Sequence, residues 1–217
     1  MKDSQFDEFL ESLKKSIEHK YSVGPYDLGW RFLYSPESTL KNAKVAFLGM
    51  NPGGDKNPEN HAEFAMEAGS AYVLETWKEK PPGEEKLQMQ VRKLFDMLGV
   101  EPSEVLTGNI VPFRSPSWSK LCDRKNASAF GLQLWDKVFK LTKPELTIAM
   151  GGEAIKSTCA ILNVKDCERV PVGWGNICAK KGSYEGGTFV GLPHLSRFSI
   201  IGRSESEKAL SYLFDAR

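Results

Sequence analysis

The stretch Val45-Ala46-Phe47-Leu48-Gly49-Met50-Asn51-Pro52-Gly53-Gly54 runs from an unbroken apolar segment straight into an amide, a proline and paired glycines. A short apolar run bounded by turn residues reads as a strand buried on both faces, the kind found in parallel sheets. Pro52 fixes one turn dihedral, while Gly53 and Gly54 accept positive φ and let backbone approach a ligand closely. Asn51 then stands at the strand's carboxyl end, where open α/β sheets bind ligands. Taken alone, the stretch reads equally well as an ordinary turn with a capping asparagine.

Outward from this strand, helical and strand periods alternate. Phe6, Phe9, Leu10, Leu13 and Ile17 recur at helical spacing, so residues 4–20 predict an amphipathic helix packed on something larger, followed by an ordered aromatic-rich loop at 21–34. The first strand, 44–50, leads into a Gly, Pro and Asn-rich segment reaching residue 69 that has neither period, and a loop of that length in a compact domain is usually functional. Leu87, Val91, Leu94, Phe95 and Leu98 mark a second helix that stops at Gly99. A second strand is expected at 105–112, a helix at Phe130, Leu134, Val138 and Leu141, and a third strand at 146–150. Gly151-Gly152 turns into a helix through Leu162, and 188–192 is the fourth strand. Ser204-Glu205-Ser206-Glu207 has the S-x-x-E form of a capping box, opening a last helix with Ala209, Leu210 and Leu213. Strands alternating with helices imply an α/β fold with a mostly parallel sheet, here of four strands.

Composition narrows the class. With 217 residues, 41% of them hydrophobic and 26% charged, the chain can bury a sizeable core as one domain, 1–217, with residues 1–43 as an N-terminal helix and loop packed on that core. No apolar run approaches the roughly 18 residues needed to span a bilayer, and the polar, acidic start is unlike a signal peptide, so a cytoplasmic protein is expected. Cys122, Cys159, Cys167 and Cys178 contain no C-x-x-C pair and read as reduced thiols rather than a metal cluster. No cofactor is expected. A formal charge of +1 gives no general attraction to nucleic acid, so any such binding is local.

Polar clusters follow three of the strands. The first strand delivers Asn51, the second delivers Asn109 with Pro112-Phe113-Arg114-Ser115-Pro116, and the fourth delivers Pro193-His194-Leu195-Ser196-Arg197-Phe198-Ser199. In a parallel sheet these ends share one edge, so residues distant in the chain converge there.

In order and content these clusters resemble the uracil-DNA glycosylase superfamily. Gly49-Met50-Asn51-Pro52-Gly53 is similar to the first motif of its mismatch-specific and single-strand-selective branches, which read Gly-Ile-Asn-Pro-Gly and Gly-Met-Asn-Pro-Gly. Gly69-Ser70-Ala71-Tyr72 matches in placement the segment that supplies an aromatic ring to the flipped base, and Asn109 matches the asparagine that reads the base edge. His194-Leu195-Ser196-Arg197-Phe198-Ser199 resembles the closing His-Pro-Ser-Pro-Leu-Ser motif. The likeness spans 44–200 but departs in detail: Leu195 and Arg197 replace both prolines, Phe198 holds the leucine wedge position, and Asn51 stands where the most active uracil enzymes place an aspartate.

The resemblance implies a three-layer α/β/α glycosylase fold and a monofunctional DNA glycosylase that leaves an abasic site. The substrate would be single- or double-stranded DNA carrying a damaged or modified base, acted on by a monomer with no metal and no membrane association. Asn51 would hold the attacking water through its side-chain carbonyl, and His194 would donate a hydrogen bond to the departing base. Asn109 would read the pairing edge, Tyr72 would stack on the base beside Met50, and Phe64 is an alternative to Tyr72, though either ring could be core. Pro52, Gly53, Ser196, Arg197, Phe198 and Ser199 would face the DNA, with Phe198 either a wedge filling the vacated stack or an anchor of its loop. Asp55 is either a replacement carboxylate or a solvated turn residue. Trp118, Lys120, Arg124 and Lys125 form a second patch that reads as phosphate contact or as solvated loop. Two other classes compete: a non-catalytic nucleic-acid-binding protein of the same fold, and a nucleotide-phosphate enzyme, which the glycine pairs do not support because neither has P-loop or G-x-G-x-x-G spacing.

Overall fold

The computed structural model describes residues 3–56 and 61–214. Residues 57–60, within the long loop expected after the first strand, lie outside the described residues. The elements run α1 (Asp3–Ser22), α2 (Thr39–Asn42), β1 (Val45–Gly49), α3 (Ala71–Leu74), α4 (Lys86–Leu98), β2 (Leu106–Asn109), α5 (Arg124–Thr142), β3 (Leu146–Met150), α6 (Gly152–Leu162), β4 (Cys167–Trp174), β5 (Ile177–Tyr184), β6 (Gly187–Leu192) and α7 (Ser204–Phe214).

The sheet has six strands in the order β2-β1-β3-β6-β5-β4, which corrects the expected four. β2, β1, β3 and β6 are mutually parallel, with Gly49 opposite Asn109, Leu48 opposite Ala149, and Met150 opposite Leu192. The additional strands form an antiparallel hairpin, β4 to β5, which pairs onto β6. Only Val170, Val172 and Ala179 of this hairpin are fully buried in the core; Trp174 and Ile177 pack on it half-buried, and charged, glycine and exposed positions interrupt both strands. A two-sided apolar run therefore never develops, and Pro171 sits where it is tolerated, on the edge strand.

Successive residues of β1 serve opposite faces. Val45 and Phe47 join a core with Leu94 and Phe95 of α4 and Leu210 and Leu213 of α7. Ala46 and Leu48 join another with Leu13 and Ile17 of α1 and Leu134, Trp135 and Val138 of α5. Helices thus cover both faces, giving the three-layer arrangement.

Residues 30–34 close the outer edge of the sheet. Their backbone runs antiparallel beside β2, with bridges Trp30 to Phe113 and Leu33 to Gly108, and the Tyr34 amide donates to Thr107 O at 2.8 Å. The aromatic-rich loop thereby caps a row of backbone groups that an exposed edge would leave unpaired. α4 ends at Gly99 as the sequence indicates, but its start carries a capping box of Glu85 and Gln88. At α7 the Ser204 hydroxyl donates to the adjacent Glu205 carboxylate at 3.0 Å.

Candidate active site

Because β1 lies between β2 and β3, the chain leaves β1 first to one side and later to the other, and the crevice at such a reversal is where α/β sheets bind ligands. The parallel ladder carries past the strand ends, Ile110 N donating to Gly49 O at 3.0 Å and Val111 N to Met50 O at 2.9 Å. Side by side along this carboxyl edge stand Asn109 at the end of β2, Asn51 after β1, Gly151 after β3 and His194 after β6. Asn51 and His194 belong to strands two spacings apart, about 10 Å of backbone.

Asn109 is 6% exposed, and its side chain lies over Gly49. A Cβ at position 49 would meet Asn109 Oδ1 at 2.5 Å, so the glycine is what admits the amide. The Asn109 carbonyl accepts from Trp135 Nε1 at 2.8 Å, which pins the backbone, yet its side-chain Nδ2 is buried with no protein acceptor among the described residues. A buried donor left so costs about 1–3 kcal/mol unless a ligand supplies the acceptor.

Asn51 is half-buried and anchored. Its Nδ2 donates to Ser115 Oγ at 2.8 Å, Pro52 O at 3.1 Å and Phe113 O at 3.3 Å. Its carbonyl oxygen has no hydrogen bond to another described residue. Pro52 is buried while Gly53 and Gly54 are exposed, and Gly54 has φ +124°, a conformation side chains disfavour. Arg114 Nη1 donates to Gly53 O, bringing a cation against that turn. Met50 is half-buried and packs against the helices on the α1 and α5 side. Asp55 is exposed.

His194 Nδ1 and Ser196 Oγ are 2.8 Å apart, and the ring passes beside Gly151, whose Cβ would sit 3.5 Å from His194 Cδ2. Burial pushes the imidazole below its ordinary value, and the Arg197 charge acts in the same direction. A neutral imidazole bonded at Nδ1 keeps Nε2 for another partner. His194 O accepts from both Arg197 N at 2.9 Å and Phe198 N at 3.0 Å, tightening the turn that holds the ring.

The other expected site residues divide. Ser196 and Ser199 are half-exposed and Arg197 is exposed on the same loop as His194. Phe198 is half-buried, edge-on to Trp174 at 5.9 Å between ring centroids, so its ring anchors the loop to the β4 end rather than standing free. Tyr72, expected either to stack on the base or to be core, is 4% exposed and enclosed by Tyr34, Phe47, Trp77 and Phe95. Phe64, its alternative, packs against Phe32 in the opposite core. Trp118 and Lys120 form a short 3-10 turn, and Arg124 and Lys125 open α5. Arg114 and Ser115 belong to a cluster the sequence marks as polar without giving either a role. No periodicity points to them, since both act through contacts made across the β1 and β2 loops.

A family model described as the uracil DNA glycosylase superfamily matches residues 36–214. The chain belongs to the uracil-DNA glycosylase superfamily. Among curated proteins, none matches it. The match covers every strand of the sheet, with Asn109 at the end of β2, and the loops bearing Asn51 and His194; α1 and the aromatic-rich loop precede it.

Proposed function

We propose that the protein hydrolyses the N-glycosidic bond of a flipped-out uracil or other damaged or modified base in DNA, leaving an abasic site. The unpartnered Nδ2 of Asn109 is the observation that carries this reading. A buried amide donor at the mouth of a parallel sheet, one strand from Asn51, is satisfied by an exocyclic oxygen on a pyrimidine's pairing edge.

Cleavage breaks the C1′–N bond with its electron pair leaving on the base, while a water oxygen bonds to C1′ and gives its proton to solvent. The sugar gains positive and the base negative character, so the site needs fixed dipoles and a placed water rather than a strong nucleophile. Asn51 Oδ1 accepts from that water and orients it without ionising. His194, held at Nδ1 by Ser196, turns Nε2–H towards the departing base and spreads its charge. The side-chain-free Gly53-Gly54 turn lets the nucleotide backbone approach, with the Arg114 cation beside it. Extrusion of the base costs a few kcal/mol of unstacking, which contacts from the 194–199 loop offset.

The test is incubation with DNA containing uracil, other damaged pyrimidines or bulky modified cytosines, single- and double-stranded, followed by alkali to reveal abasic sites. Cleavage is expected at one of these bases. Asn51→Ala and His194→Ala are each expected to lose about a hundredfold or more in rate, the scale of one oriented stabilising group, with DNA binding retained. Unchanged rates in both variants would overturn the assigned roles. Absence of cleavage with every substrate, alongside DNA binding, would support a non-catalytic binding protein instead.

A further inference from the structure

Three acceptors converge on one nitrogen. Asn51 Nδ2 faces the carbonyl oxygens of Pro52 and Phe113 and the hydroxyl oxygen of Ser115. The carbonyls can only accept. Ser115 has one hydroxyl proton, and it is committed: Ser115 Oγ donates to Ser117 O at 2.9 Å, so towards Asn51 it too presents a lone pair. The Ser115 amide in turn donates to Pro52 O at 3.1 Å, tying the two loops together. Ser115 is 3% exposed, so water does not take over these bonds.

An amide's two ends are nearly equal in shape, and only the partners decide which way it points. Here a flipped amide would place its oxygen against three oxygens. We propose that Ser115 is a positioning residue for the glycosidic reaction: it completes an acceptor-only cradle that locks the Asn51 amide with Oδ1 turned away from the 113–115 loop, available to the attacking water. The closest of the three contacts is the one to Ser115, at 2.8 Å, and it comes from the loop after β2, 64 positions along the chain. The cradle also accounts for the amide at this position. A carboxylate would set an oxygen against the Pro52 and Phe113 carbonyls, so this loop arrangement accommodates asparagine and opposes aspartate.

The proposal rests on the glycosylase reading, and its test separates the two. On whichever base in the panel is cleaved, Ser115→Ala is expected to lower kcat about tenfold or more with KM within threefold, because the water is misplaced in the transition state while the base still binds. Ser115→Thr, which keeps the hydroxyl, is expected to recover most of the loss. In an Asn51→Ala background, Ser115→Ala should have no further effect, since nothing remains to be oriented. An equal loss in both backgrounds, or full kcat in Ser115→Ala, would overturn the proposal. A second measurement needs no activity: with 15N-asparagine labelling, the Asn51 side-chain NH2 is identified by its loss in Asn51→Ala. Its hydrogen exchange is expected to accelerate at least tenfold in Ser115→Ala while the other asparagine side chains are unchanged. Unaltered exchange would overturn the cradle even if the wild type cleaves DNA. Accelerated exchange in a protein that cleaves none of the panel would uphold the cradle and remove the glycosylase reading.

Discussion

At position 49 two residues compete for one space. Gly49 leaves room for Asn109 Oδ1 where its own Cβ would stand, 2.5 Å away. Gly49→Ala is therefore expected to cost about 1–3 kcal/mol, the scale of overpacking, read as a lower urea midpoint. Adding Asn109→Ala should restore part of that stability but not cleavage. Failure of the second change to restore the midpoint would show that the strain lies elsewhere. Asn51→Asp poses the complementary question. It supplies the carboxylate of more active relatives, yet the neighbouring carbonyls oppose it, and lower kcat/KM than wild type at neutral pH is the expected result. His194 adds a pH dependence. Its folded value lies below the ordinary 6.5, so the unfolded chain binds its proton first as pH falls. Its contribution is complete above about 6.5 and is lost as pH falls from there to the folded value. The urea midpoint should consequently drop more between pH 7 and pH 5 in the wild type than in His194→Gln. Asn51, Asn109 and His194 are legible as polar residues because each stands at the carboxyl end of a strand the sequence marks. The role of Ser115 is not, because it consists of a hydrogen bond made across the β1 and β2 loops.

Elements carry the same contrast. β1, β3 and β6 announce themselves as apolar runs because helices bury both their faces. The β4–β5 hairpin is invisible to that criterion, with Lys180 and Lys181 in the middle of one strand and Pro171 and Gly173 in the other. It takes its strand form from pairing to β6, which supplies backbone partners irrespective of side chain. The start of α4 was hidden differently, since Glu85 is an uncommon cap and Gln88 a polar residue in a core position. Gln88 is fully buried, receives the Glu85 amide at 3.1 Å, and donates to Ala71 O at 3.0 Å and Glu75 O at 2.7 Å, binding α3 to α4. Glu85 accepts from Leu87 N and from Lys78, and the Glu85 and Lys78 charges act on His194 in opposite directions. Gln88→Ala is expected to cost about 2–3 kcal/mol by removing these three bonds and leaving the buried Glu85 amide without its acceptor, and Glu85→Ala about 1 kcal/mol as a lost cap. Urea unfolding with an unchanged m value checks both. A Gln88→Ala midpoint equal to wild type would mean that the Glu85 amide finds another acceptor.

For the whole molecule, charge sets the terms on which DNA is met. Lys and Arg exceed Asp and Glu by one, 29 against 28, so the protein has no long-range field to gather a polyanion. Many cations are already engaged: Arg31 is buried against Glu75 at 2.6 Å, Lys78 pairs with Glu85 at 2.8 Å, and Lys140 with Asp136 at 2.6 Å. At the carboxyl edge, Arg197 is exposed beside His194, and Arg114 rests on the Gly53 carbonyl. Affinity should then come from a few phosphate contacts around the flipped base rather than from a basic face. Each neutralised phosphate of duplex DNA contributes about 0.9 to the slope of log affinity against log salt. A slope of about 2–4 is expected between 50 and 200 mM salt, measured by fluorescence anisotropy with duplex containing the cleaved base and the Asn51→Ala protein. Arg197→Ala should reduce that slope by about one while leaving the unfolding free energy from urea titration within about 0.5 kcal/mol of wild type, as exposed substitutions do. A slope near ten would place a broad basic surface in contact with DNA. An unchanged slope in Arg197→Ala would remove that side chain from the phosphate contacts and leave the 194–199 loop to act through His194 and its backbone alone.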